Sequence, residues 1–181
     1  MIHRIYSLFF GILLLFATPI YALEVIEILG GKASEIPIAI VPFEGLENIG
    51  GQKAHQIISS DLNRTGLFRP LNTRGISNSP SSDININYTK WSSMDAQFIV
   101  VGKVESENPI SGNIKITWSL IDIFKEKTVV SMRYIGKKSQ YRAIAHKVSD
   151  NVYEHLTGSK GVFHTKIAYV KKVNNKKYSL N

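Results

Sequence analysis

The stretch IPIAIVPFEGLENIGGQKAHQIISSDLNRTGLFRPL, from Ile36 to Leu71, decides the fold. It opens on a nearly continuous apolar run, Ile36 to Phe43, with the length and composition of a strand buried on both faces. A loop carrying Gly45, Gly50 and Gly51 follows. Ala54, Ile57, Ile58 and Leu62 then recur at helical spacing, which predicts a helix with His55, Gln56, Ser59 and Asn63 turned toward water. Gly66 supplies the backbone freedom that a helix end often needs. Phe68 to Leu71 begins a second strand. Strand, helix and strand within about 35 residues is the size of a βαβ unit.

Outward from this unit toward the carboxyl end, a polar stretch rich in Ser and Asn runs from Asn72 to Asn87 and includes Gly75 and Pro80. It has no helical period and reads as a mobile surface loop. Thr89 to Met94 forms a short helical turn in which Trp91 is a packing anchor, since nothing nearby builds an aromatic cage. Ala96 to Val104 reads as a second buried strand, with Gly102 marking a close backbone approach. In Asn113 to Ile123, Ile114, Ile116, Trp118 and Leu120 alternate with Lys115, Thr117 and Ser119, the pattern of a half-buried strand. Asn108 to Gly112 is hairpin material before it. Lys125 to Lys127 turns the chain into a third strand, Val129 to Ile135, so that Ala96 to Ile135 forms a meander.

A second long helix is predicted from about Gln140 to Leu156. Its apolar stripe is Tyr141, Ile144, Ala145, Val148, Val152 and Leu156, with Ser139 as N-cap and Gly158 at the C′ position. Arg142, His146, Ser149 and Asp150 occupy the other face. Residues four apart adjoin on a helix, so His146 and Asp150 could pair as an acid–base or metal couple. A solvated or tertiary hydrogen-bonding stripe is the stronger reading, because no third ligand or nucleophile has a readable place.

The amino end reads MIHRIYSLFFGILLLFATPIYA. A short basic start, an apolar segment from Ile5 to Phe16 and a small residue at Ala22 make residues 1–22 a secretory signal peptide; an uncleaved anchor is the competing reading. Among the 181 residues there is no cysteine, so an exported chain must rely on its core rather than on disulfides. The formal charge is +8, but the basic residues are dispersed except for Lys171, Lys172, Lys176 and Lys177. Dispersed charge is a solvated surface, and an exported chain rarely meets nucleic acid.

After the signal peptide, Leu23, Glu24, Val25, Ile26, Glu27 and Ile28 form a β-prone terminal segment followed by Gly30 and Gly31. By its residues alone it is an ordinary edge strand or a detachable strand that adds to a partner's sheet, the former being favoured. No constellation argues for catalysis. There is no phosphate loop ending in Lys-Ser or Lys-Thr, no HExxH and no Gly-x-Ser-x-Gly elbow, and the five histidines lack metal-ligand spacing. Gly50 and Gly51 before Gln52 and Lys53 could cradle an anion at a helix start, a weak signal that a tight loop also explains.

Taken in order, these residues resemble the TolB family of the Tol–Pal envelope system. The resemblance runs through LEVIEI, Pro37 to Phe43, Ser60-Asp61-Leu62, Thr65 to Phe68, Pro70-Leu71, Trp91, Asp95-Ala96 and Val100 to Gly102. It continues through Ala145-His146, Ser149-Asp150, Tyr153-Glu154, Leu156 to Gly158, Gly161, Phe163 and Thr165 to Val170. Where the family usually has Leu-Gly before Asp-Ala, this chain has Ser93-Met94.

The resemblance implies a TolB amino-terminal-like domain over residues 23–162: an α/β fold with a mixed five-stranded sheet and two main helices, preceded by the signal peptide. Residues 163–181 would be a remnant of the first propeller strand with a basic tail. In the family a six-bladed propeller follows and binds the lipoprotein Pal. Only eleven residues follow Val170, against about 40 per blade, so the expectation is a fragment or truncated product without Pal binding. The implied role is a non-enzymatic, cofactor-free periplasmic adaptor. It would bind the carboxy-terminal domain of TolA through Leu23, Glu24, Val25, Ile26, Glu27 and Ile28, supporting outer-membrane integrity and constriction at cell division. The competing readings are a small anion- or nucleotide-binding periplasmic domain built on the Gly50-Gly51 loop, and a truncated product without function.

Overall fold

Ile38, Ala39, Ile40 and Val41 are no more than 2% exposed, because the strand that begins with Ile36 lies between two parallel neighbours with both its faces covered. A computed structural model describes residues 35–45, 53–76, 79–108, 110–165, 170–174 and 177–180. In chain order the elements are β1 (Ile36–Ile40), β2 (Glu44–Gly45), α1 (Ala54–Arg64), β3 (Phe68–Pro70), α2 (Tyr88–Ser93), β4 (Phe98–Asn108), β5 (Asn113–Asp122), β6 (Lys127–Lys137), α3 (Tyr141–Thr157), β7 (Val170–Asn174) and β8 (Lys177–Leu180).

The sheet runs β3-β1-β4-β5-β6, with β2 paired to β4 as a short sixth strand that the sequence pattern did not reveal. β3, β1 and β4 are parallel, while β4, β5 and β6 form the expected antiparallel meander. The mixed α/β sheet with two main helices is therefore observed. β7 and β8 pair antiparallel in a separate two-stranded sheet.

Each face of the sheet carries its own core. On one, Ala54, Ile57, Ile58 and Leu62 of α1 and Tyr141, Ala145, Val148 and Val152 of α3 pack on Ile38, Ile40, Ile116 and Trp118. The apolar stripes of both helices thus meet the sheet side by side. On the other face Trp91 of α2, 1% exposed, packs with Ala39, Val41, Ile99 and Val101. The structure bears out Trp91 as a packing anchor. Gly102 also stands where expected of a close approach: a Cβ there would lie 2.7 Å from the Phe43 ring and 2.8 Å from the Thr117 carbonyl oxygen.

Two local expectations need correction, and between the two readings left open for the far face of α3 the structure chooses the tertiary hydrogen-bonding one. Ser139 does not cap α3; Lys138–Gln140 first wind as a 3-10 turn, so Gln140 takes the N-cap position and its side chain accepts from the Lys137 amide at 3.0 Å. The far face of α3 is not a solvated stripe, since Ser149 is fully buried and Asp150 is 6% exposed. α1 packs along it and residues 161–164 fold back onto it. Finally, the polar loop after β3 is tied down within its described residues: Thr73 donates to the Ile40 carbonyl at 2.9 Å, and Ile76 and Ile86 pack into the second core.

Candidate functional site

Leu23 to Ile28, the segment nominated for a partner, and the Gly50-Gly51 loop both lie outside the described residues. Within the described residues, chemistry-bearing side chains gather at four places.

The first is Asp61. It sits on the buried side of α1 between Ile58 and Leu62, only 1% exposed. One carboxylate oxygen accepts from Ser149 Oγ at 2.8 Å and from His146 Nδ1 at 2.6 Å, and the other accepts from the Arg64 guanidinium. A carboxylate only accepts, so His146 holds its proton on Nδ1. Ser, His and Asp meet here, but not in the order that activates a nucleophile: the hydroxyl bonds the carboxylate directly instead of the imidazole. The arrangement satisfies buried polar groups and fastens α3 to α1. Sequence reading passed over Asp61. Its signal was an acid set inside an apolar helical stripe, at i+3 from Ile58.

The second place is Asp150, which is not the partner of His146 after all. Its carboxylate accepts from the Phe163 amide at 2.6 Å, from the His164 amide at 3.4 Å and from His164 Nδ1. Gly161 makes this return possible, because a Cβ at that position would stand 2.5 Å from Asp150 Cα. The Phe163 ring then meets Tyr153 edge-on at 5.9 Å, and Tyr153 meets Phe68 at 6.1 Å. The tertiary hydrogen-bonding reading of this helix face is the one observed. It uses two separate carboxylates rather than one His–Asp couple.

The third is the open side of the meander, where Glu105 lies between Lys115 Nζ at 3.0 Å and Lys103 Nζ at 3.2 Å. The Lys115 ammonium foremost, then that of Lys103, holds the Glu105 carboxyl below the usual carboxylate range. A lowered folded-state pKa gives stability that is present above the unfolded value of about 4.5 and is lost as pH falls through the folded value. In urea melts across pH 2 to 6, about the carboxylate range, wild type should therefore lose more stability on acidification than Glu105→Gln. Parallel curves would contradict the assignment. The fourth place is a polar crevice beyond the carboxyl ends of β1 and β3. Among the described residues no group of three or more His, Asp or Glu is arranged to hold a metal, and no helix is long and apolar enough to cross a membrane.

Residues 24–129 match the model of the TolB amino-terminal domain. The chain belongs to the TolB amino-terminal domain family. It is 42% identical over 175 residues to the Tol-Pal system protein TolB of Methylobacillus flagellatus, covering 93% of this chain and 40% of that protein. With TolB of Nitrosospira multiformis it shares 41% identity over 167 residues, covering 92% and 37% respectively. The crystal structure of TolB from Acinetobacter baumannii superposes with a TM-score of 0.67 at 26% identity, over 81% of this chain and 35% of that one. The chain thus spans about two fifths of the length of the relatives it matches. The family resemblance read from the sequence holds, and the match begins inside the segment Leu23 to Ile28.

Proposed function

We propose that this chain is a non-enzymatic periplasmic adaptor of the Tol–Pal system. Its globular part would carry an amino-terminal strand, Leu23 to Ile28, that pairs with the carboxy-terminal domain of TolA. The observation that carries this reading is the TolB amino-terminal domain match over residues 24–129, which takes in all but the first residue of that strand. The chemistry is suited to the task. Strand addition draws affinity from main-chain hydrogen bonds and specificity from alternate side chains, and LEVIEI offers Leu23, Val25, Ile26 and Ile28 for pockets with Glu24 and Glu27 for polar contacts. Residues 1–22 direct export and are removed after Ala22. Pal binding belongs to the part of the relatives that this chain does not span. The adaptor role supports outer-membrane integrity and envelope constriction at division.

The test is a deletion. Removing residues 23–28 should abolish binding to the TolA carboxy-terminal domain in a calorimetric titration while leaving the thermal unfolding midpoint nearly unchanged, the outcome expected of a segment that serves the partner rather than the core. Full affinity after the deletion would overturn the assignment.

A further inference from the structure

The connections that follow β1 and β3 leave the sheet on opposite faces. From β1 the chain passes to α1, which packs on the face of Ile38 and Ile40; from β3 it passes to α2, which packs on the face of Ala39 and Val41. A crevice lies beyond the carboxyl ends of these two strands, the end of the sheet at which open α/β folds bind ligands, one strand away from the β1–β4 boundary where the strand order reverses. A cleft of about 600 Å³ lies there. Apolar and proline residues of the two strand ends form its floor; α1 lines one side, with His55 and Ser60 beside Gln56, Ser59 and Asn63, and the segment after β3 lines the other with Asn72 and Arg74.

The lining has a definite chemistry. It contains no Asp or Glu, and Arg74 brings a permanent positive charge. Gln56, Asn63 and Asn72 carry amide donors and Ser59 a hydroxyl. There is no Phe, Tyr or Trp against which a base could stack, which argues against a nucleotide. The wall beside Arg74 is held in place: Thr73 Oγ1 donates to the Ile40 carbonyl at 2.9 Å, and the Arg74 amide donates to Asn72 Oδ1 at 3.1 Å. These are donors and a cation around an uncharged floor, on a scaffold that is already formed. We propose that the crevice binds a small oxyanion, a phosphate or carboxylate group, with Arg74 as its charge partner and Ser59, Asn63 and Asn72 as hydrogen-bond donors. The proposal does not rest on TolA binding.

The probes are inorganic phosphate and acetate, added at constant ionic strength to the 15N-labelled full chain. Saturable shifts of amides in 55–63 and 71–75 are expected, with half-saturation below about 10 mM for at least one of the two anions. Whichever saturates first identifies the group recognised. Arg74→Gln should weaken that binding by roughly tenfold or more without moving the urea midpoint. Lys103→Gln, on the open side of the meander, should leave it unchanged. Non-saturating shifts spread over surface lysines, no response to either anion, or equal affinity in Arg74→Gln would overturn the site.

Discussion

Asp61→Ala is expected to destabilise the protein by about 3–5 kcal/mol, the range for removing one partner from a buried charged network. The carboxylate is 1% exposed and serves three donors, so its loss leaves His146 Nδ1 without its acceptor and Ser149 Oγ with only the Ala145 carbonyl, at 3.2 Å. Each buried donor stranded in this way costs about 1–3 kcal/mol. The partners lie 85 and 88 residues away in sequence, and the damage falls on the α1–α3 interface rather than on either helix alone. Asp61→Asn keeps one acceptor oxygen in a similar shape and should cost clearly less. Equilibrium urea unfolding of the two variants checks this; a loss under about 1 kcal/mol for Asp61→Ala would mean that the node contributes little.

Trp91→Ala should have a comparable effect, about 3–5 kcal/mol, for a different physical reason. Trp91 fills the second core, and with Ile86, Ile76 and Leu71 it is what gives the long polar connection after β3 something to pack on. Truncating it leaves a cavity in the cluster on which Leu71, Ile76 and Ile86 pack. The loss should therefore have a local component, visible as faster amide exchange across residues 72–97 than across β5. Uniform exchange along the chain would show that the connection does not depend on Trp91.

The elements that were legible in the sequence were those with a single strong period. The apolar run at Ile36 announces a strand buried on both faces, and the α1 stripe and the alternation in β5 each announce one buried face; the structure places them there. β2 was not legible, because two residues pairing with β4 leave no period. Ser139 looked like a cap because it precedes an apolar stripe, but the 3-10 turn before α3 moves the helix start by one residue. Asp61, Ser149 and Asp150 were hidden for a common reason. A polar residue shows its burial only through partners distant in sequence, and no local pattern reports those. Thr73 and Ile86 escaped notice in a Ser- and Asn-rich stretch for the same cause. Leu23 to Ile28 is the opposite case: its residues alone favour an ordinary edge strand, and the partner reading comes through the family resemblance.

The central claim concerns that strand, and it can be probed without altering the protein. Hydrogen–deuterium exchange of the chain from Leu23 onward, with and without the TolA carboxy-terminal domain, reads the backbone amides of Leu23 to Ile28 directly. Strand addition predicts strong new protection of those amides on binding, with the β4–β5–β6 meander unchanged. Protection that appears elsewhere while residues 23–28 exchange as fast as before would contradict the account.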